Sequence, residues 1–205
     1  MPALQLHTEA FVLSKKPPAD RFQQITVLSA SHGQLLCLRR VAVKSASTSV
    51  ALDLFDEADL WLESSNQGRT WFVKEVRVLA RHDAIGRSYD ALRFASAFAA
   101  VIARNPVSED SRERVHALVR QTLAAFATAA RPDIVHFKAL YCFARDEGYP
   151  VKQEWLRGLA EAERAAAAEI LNQPLAAQTA AAPVVARLAA RLGDYLRDHT
   201  EILLE

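Results

Sequence analysis

The residues of this sequence best suited to binding chemistry are basic side chains near the N-terminus. The first 44 residues hold six lysines and arginines but only two acidic residues. The six are Lys15, Lys16, Arg21, Arg39, Arg40 and Lys44. Basic side chains bind phosphate groups, and aromatic rings beside them stack on unpaired bases. The cluster therefore predicts a surface for a nucleic acid strand, on which the candidate aromatic residues are Phe11, Phe22, Trp71 and Phe72.

Two later basic residues, Arg69 and Lys74, would extend this surface from another strand. Lys74 and Arg77 are three residues apart, so they point to opposite faces of a strand and at most one of them shares the surface. Two alternatives stay open. The basic residues can instead be solvated charges on a sheet whose aromatic side chains form the core. Arg69, Lys74 and Arg77 can equally be cross-strand partners of an acidic strand at 50–63.

That acidic segment alternates apolar and charged residues and contains Asp53, Glu57, Asp59 and Glu63. Alternate residues of a strand stand roughly 6.5–7 Å apart, which is too far for two neighbours to chelate one ion tightly. The row is therefore predicted to be a solvated strand face and not a metal site.

Signatures of catalysis are missing from the sequence. The six histidines are scattered, and no nucleophile-elbow, P-loop or dinucleotide-binding motif occurs. Cys37 and Cys142 lie far apart in apolar segments, which predicts buried, reduced thiols. We expect no enzyme activity, cofactor, metal or small-molecule substrate. With neither a secretory signal pattern nor an apolar run long enough to span a bilayer, the expectation is a cytoplasmic protein without a membrane partner.

The basic residues must be positioned by strands. Alternating or β-branched segments predict five of them, at about 4–14, 22–31, 34–44 and 50–63, with a fifth that begins near Arg69. Asp56 interrupts the apolar row of the fourth, which predicts a bulge or bend at 55–57. Five strands with short connections favour a small closed or partly open barrel, because closure removes exposed edges.

After Asp83 the apolar residues recur at helical spacing. Helices are predicted at 84–104, from Ser108 to about Ala130, from Pro132 to Gly148, at about 152–172, and from Pro183 towards the end of the chain. The fold class is thus α+β, with a barrel domain at 1–82 and an all-helical domain at 83–205.

Several short segments together resemble the bacterial recombination mediator family RecO. They are EAFVLS from Glu9, PADRFQQITVLSASHGQ from Pro18, FVKEVRVL from Phe72, RDEGYPVKQEWL from Arg145, and a last helix with Leu192, Tyr195, Leu196 and His199. The resemblance implies an N-terminal OB-fold followed by a helical domain. It also implies binding of single- and double-stranded DNA, annealing of complementary strands, and assistance to recombinase loading with the partners RecR and single-strand-binding protein.

The sequence departs from that family in lacking the four-cysteine zinc site of some members and in being less basic. An alternative is therefore a RecO-like adaptor that binds proteins and little DNA. Grooves between its helices would then take an acidic, aromatic-ended peptide. Candidate flanking residues, by charge alone, are Arg104, Arg112, Arg114 and Arg120.

Overall fold

The computed structural model describes residues 3–41, 51–64 and 66–204 and shows five strands followed by helices. The strands are β1 (Leu4–Lys15), β2 (Phe22–Ser29), β3 (Gly33–Arg40), β4 (Glu57–Ser64) and β5 (Trp71–Ala80). The α-helices are α1 (Tyr89–Arg104), α2 (Arg112–Thr128), α3 (Pro132–Asp146), α4 (Glu161–Asn172) and α5 (Ala182–His199). The predicted α+β class, with a five-stranded sheet before the helices, is confirmed.

The chain divides into two compact units. The barrel unit comprises Met1–His82 together with Pro106–Ala117, and the helical unit comprises Asp83–Asn105 together with Leu118–Glu205. The barrel unit thus takes in a segment from well beyond residue 82.

The strands pair in the order β1-β2-β3-β5-β4 and close into a barrel. Closure depends on β1, which pairs with β2 through Val12 opposite Val27 and with β4 through Ala10 opposite Ala58. Every pairing is antiparallel except that of β3 with β5. Because side chains alternate across a strand, one residue in two points inward. The inward residues form the core together with Leu52, which precedes β4. The core includes Ala10, Val12, Ile25, Val27, Leu35, Cys37, Leu52, Ala58, Leu60, Leu62 and Trp71.

The predicted fourth strand is wrong in its first half. Residues 51–56 are not strand, β4 begins at Glu57, and Val50 lies outside the described residues. Phe55 adopts a left-handed backbone (φ 70°), and the buried carboxylate of Asp56 accepts a hydrogen bond of 2.8 Å from the backbone N–H of Asp53. A side chain that captures a nearby backbone N–H favours a turn over a strand. The bend expected at 55–57 is therefore confirmed, and β4 begins only at its last residue, Glu57.

One outer face of the barrel is covered by the segment 106–117. Phe11 points outward from β1, yet it is 0% exposed, and its ring centroid lies 5.0 Å from that of His116. The backbone N–H of Val107 donates to Gln34 Oε1 at 3.0 Å, and Arg112 donates to the carbonyl of Ser31 at 3.3 Å. This side of the barrel is thus a packing surface within its unit.

In the helical unit, α3 packs against α1 and α5. Its central residues Phe137 and Phe143 are fully buried, as are Phe98 of α1 and Leu192 of α5. The predicted end of α1 at residue 104 and the predicted start of α3 at Pro132 are confirmed, whereas α1 begins at Tyr89 and not at residue 84.

The predicted single helix at 152–172 is interrupted. A π-helical turn spans Lys152–Leu156, and α4 begins only at Glu161. Leu159 is buried at the break, and Ala160 is extended (ψ 152°). No helix of the described residues is long and apolar enough to cross a membrane.

His136 on α3 makes the stability of the helical unit depend on pH. Burial and, secondarily, the charge of Arg93 lower the pKa of His136 from 6.5 to about 4. The folded form therefore binds this proton less readily than the unfolded chain, whose histidine keeps its ordinary pKa. We expect this contribution to be fully present above pH 6.5 and to be lost progressively as the pH falls towards 4.

The measurement is urea unfolding at pH 7.5 and at pH 5. We expect the wild type to lose more of its free energy of unfolding between these values than His136→Gln, which cannot titrate. Equal pH dependence of the two proteins would contradict the prediction.

Candidate nucleic-acid interface

Two aromatic side chains meet on the outside of the barrel. Phe22 of β2 and Phe72 of β5 have ring centroids 5.8 Å apart at an interplanar angle of 70°. β3 lies between their strands, and Leu38 of β3 is opposite Phe72 in register. Phe22 is 37% exposed. The two rings therefore offer an accessible edge-to-face pair that spans β3.

Exposed basic residues surround this pair. Arg40 is directly opposite Phe22 in the register of β2 and β3, and the carbonyl of Arg21 accepts a hydrogen bond from the N–H of Val41 at 2.8 Å. Lys16 lies in the β1–β2 connection, and its N–H donates to the carbonyl of Gln24 at 2.9 Å. These contacts hold three cationic residues close to the start of β2.

A fourth cationic residue, Arg69, lies in the connection that leads into β5, two residues before Trp71. Like Lys16, Arg21 and Arg40, it is exposed and makes no ion pair with any residue that the structure describes. We call Phe22 and Phe72 with these four cations the aromatic–cationic face. Its charges are available to phosphates because none of them pairs with a carboxylate in the described part of the chain.

Two other predicted site residues are held by carboxylates. Lys15 Nζ contacts Asp53 Oδ1 at 2.8 Å and the carbonyl of Leu52 at 2.9 Å. The hydrogen bond from Lys15 is the main cause that lowers the pKa of Asp53. Lys74 Nζ lies 2.7 Å from Glu63 Oε2 on the adjacent strand. Lys74 is therefore a cross-strand partner of the acidic segment 50–63, which is the alternative left open by the sequence.

The remaining two predicted residues, Arg39 and Lys44, are not part of the aromatic–cationic face. Arg39 has the same strand parity as the core residue Cys37, and it is half-buried, so burial lowers its pKa. Arg39 therefore points away from Arg40, which is its neighbour on β3. Lys44 lies outside the described residues.

The four candidate aromatic residues separate into two pairs. Phe11 is fully buried and Trp71 is 9% exposed within the barrel core, so neither presents a face to a base. Phe22 and Phe72 remain on the surface. Strand parity alone does not distinguish the buried from the exposed rings. Phe11 and Phe22 both point outward, but only Phe11 is covered by the segment 106–117.

The prediction of a solvated acidic row is wrong for its central residues. Asp59 is 4% exposed and Glu57 is 9% exposed. Asp59 forms an ion pair with Arg77 at 3.1 Å and contacts Nε2 of His7, and both residues lie on neighbouring strands. The ring of His7 also stacks on Trp61, with centroids 4.3 Å apart. Sequence reasoning missed His7 and Trp61 because only the register of β1 with β4 places them opposite each other.

Arg77 compensates the charge of Asp59, so its removal should destabilise the barrel unit. We expect Arg77→Met to lower the free energy of unfolding by about 1–3 kcal/mol, since a buried carboxylate then loses its arginine partner. Urea unfolding measures the difference. Arg69→Met is the control and should change stability by less than about 0.5 kcal/mol. Equal losses in the two variants would show that the ion pair contributes nothing.

Among the described residues, no group of three histidine, cysteine, aspartate or glutamate side chains could hold a metal ion. Cys37 and Cys142 are free, the first buried and the second half-buried. Neither the family models nor the curated proteins include a match to this sequence.

Proposed function

We propose that this protein is a RecO-like DNA-binding protein whose barrel is an OB-fold and whose aromatic–cationic face binds single-stranded DNA. The strand order with a parallel β3–β5 pairing supports the OB-fold. OB-folds bind oligonucleotides on the face of strands 2 and 3 and on the loops between strands 1 and 2 and between strands 4 and 5. Five of the six residues of the aromatic–cationic face lie in these elements, and Phe72 is the second residue of β5, just after the loop between strands 4 and 5.

The single observation that carries the proposal is the Phe22–Phe72 pair beside Arg40. Stacking on aromatic side chains is tolerant of sequence because every base has a π-face, and nearby cations neutralise the phosphates. The protein would thereby hold single strands without changing them covalently. Annealing of complementary strands, contact with duplex DNA and help in recombinase loading follow from the same proposal, with RecR-like and single-strand-binding proteins as partners.

The test is the fluorescence anisotropy of a labelled oligo(dT) titrated with the full chain at several salt concentrations. We expect binding at low salt that weakens steeply as salt rises. The double variant Phe22→Ala with Phe72→Ala should lose at least about tenfold in affinity, since a stacked base contributes about 1–3 kcal/mol.

Tyr89→Ala is the matched control for this double variant. Tyr89 is 79% exposed in the helical unit, and its replacement should leave DNA affinity unchanged. An absence of binding at low salt would overturn the proposed DNA function.

That outcome would favour the second candidate, a RecO-like protein adaptor. Two of the eight predicted basic residues, Lys15 and Lys74, are already neutralised by carboxylates, which weakens the cationic surface. The helical unit also has a cavity of about 580 Å³ lined by Arg93, Arg131 and His136, among others. An adaptor would bind its protein partner with equal affinity in the Phe22→Ala, Phe72→Ala variant.

A further inference from the structure

A second cavity of the helical unit, of about 560 Å³, has a different chemistry. It lies between the π-helical turn Lys152–Leu156 and the C-terminal half of α5. Its lining includes Glu154, Trp155, Arg191, Asp194, Tyr195 and Asp198. Carboxylates and large aromatic rings thus share one cavity, and the aromatic–cationic face contributes nothing to it.

The negative charge of this cavity is only partly compensated. Arg191 is paired with Glu163 at 2.9 Å, and Asp194 is paired with Arg197. Glu154 and Asp198 make no ion pair with any residue in the described part of the chain. These two carboxylates therefore leave the cavity with charge that a cation would balance.

Tyr195 fixes one of the two carboxylates. Its hydroxyl donates to Glu154 Oε2 at 2.9 Å. Burial, together with this hydrogen bond and the charge of Glu154, raises the pKa of Tyr195 to about 12. The phenol consequently stays protonated at neutral pH, so it adds no charge of its own and holds Glu154 in place.

Trp155 supplies an independent sign of a ligand. Its side chain is 5% exposed, and its ring packs against Phe137 and Tyr141 with centroids 6.0 and 5.9 Å away. Its indole N–H makes no hydrogen bond to any residue that the structure describes. A buried N–H donor without an acceptor is unfavourable, and a carbonyl oxygen from a bound molecule would satisfy it.

We propose that this cavity binds an arginine side chain of a basic segment in a partner protein. The guanidinium group is planar and pairs with carboxylates, which matches the exposed carboxylates of Glu154 and Asp198 in this cavity. A peptide also carries the carbonyl that the indole N–H lacks. Nucleic acid does not fit, because its phosphates would be repelled by the same carboxylates.

The probe is a capped tripeptide, acetyl-Gly-Arg-Gly-amide, titrated into the ¹⁵N-labelled full chain. The three tryptophans give three indole N–H signals, and Trp155→Phe identifies the one from Trp155. We expect the Trp155 signal to shift progressively and the signals of Trp61 and Trp71 to stay in place. The matched peptide with citrulline keeps the shape but has no charge, and it should bind at least tenfold more weakly.

The double variant Glu154→Gln with Asp198→Asn should reduce the affinity for the arginine peptide at least fivefold. Glu113→Gln, an exposed carboxylate of α2, should leave it unchanged. Three results would overturn the proposal: no movement of the Trp155 signal, equal binding of the citrulline peptide, or equal affinity of the double variant. The DNA titration described above is a separate measurement, so the two proposals can fail independently.

Discussion

Phe11→Ala is expected to lower the free energy of unfolding by about 3–5 kcal/mol. The ring points outward from β1, but it is fully buried against His116 of the segment 106–117. Its truncation removes a large apolar contact and leaves a cavity between the barrel and this segment. Urea unfolding of the full chain, followed by circular dichroism, measures the loss.

Phe22→Ala is the control for that experiment, because it makes the same chemical change on another outward position. Phe22 is 37% exposed, and its described ring contact is with Phe72. We expect a loss of about 1 kcal/mol or less in the free energy of unfolding. Similar losses in the two variants would mean that the segment 106–117 does not stabilise the barrel through Phe11.

The triple variant Arg21→Ala, Arg40→Ala and Arg69→Ala is expected to bind single-stranded DNA at least about tenfold more weakly than the wild type. Each phosphate contact contributes about 0.7 to the slope of log affinity against log salt for single strands. If all three arginines contact phosphates, the magnitude of the slope should fall by about 2. Anisotropy titrations at four or more salt concentrations give both quantities.

The double variant Lys15→Ala with Lys74→Ala tests the assignment of the face. Both side chains are held by carboxylates, Asp53 and Glu63, at 2.8 and 2.7 Å. We expect their removal to change the salt slope by less than about 0.5, since neither is available to replace counterions. A loss as large as that of the triple variant would place the DNA on a different face of the barrel.

Local sequence patterns predicted most strands and helices, because the start, end and type of each depend on interactions between residues close together in the chain. Alternation of apolar residues predicted β1 and β2, and Pro132 marked the first residue of α3. Asp56 in an apolar row marked the bend before β4, since a buried carboxylate needs a donor and the nearest one is the backbone itself. These signals act over a few residues, so a sequence displays them directly.

Burial by a distant segment has no such local signal. Phe11 and Phe22 are both phenylalanines on outward strand positions, yet only Phe11 is covered, by residues about a hundred positions later in the chain. Asp59 was likewise predicted to be solvated, but Arg77 and His7 reach it from both neighbouring strands. Among the predicted basic residues that the structure describes, Lys15 and Lys74 pair with carboxylates, whereas Lys16, Arg21, Arg40 and Arg69 are exposed and make no ion pair with a described residue.

The sequence by itself determined the order of strands and helices, the direction of side chains within each strand, and the concentration of basic residues near the N-terminus. Only the tertiary structure decided which of these basic residues keep an unneutralised charge, because ion pairs such as Lys15 with Asp53 depend on the register between strands that are far apart in the chain. The same holds for the Phe22–Phe72 pair, which exists because β3 and β5 run parallel and bring the two rings together across β3. Strand parity is a property of one segment, whereas register and closure are properties of the whole barrel.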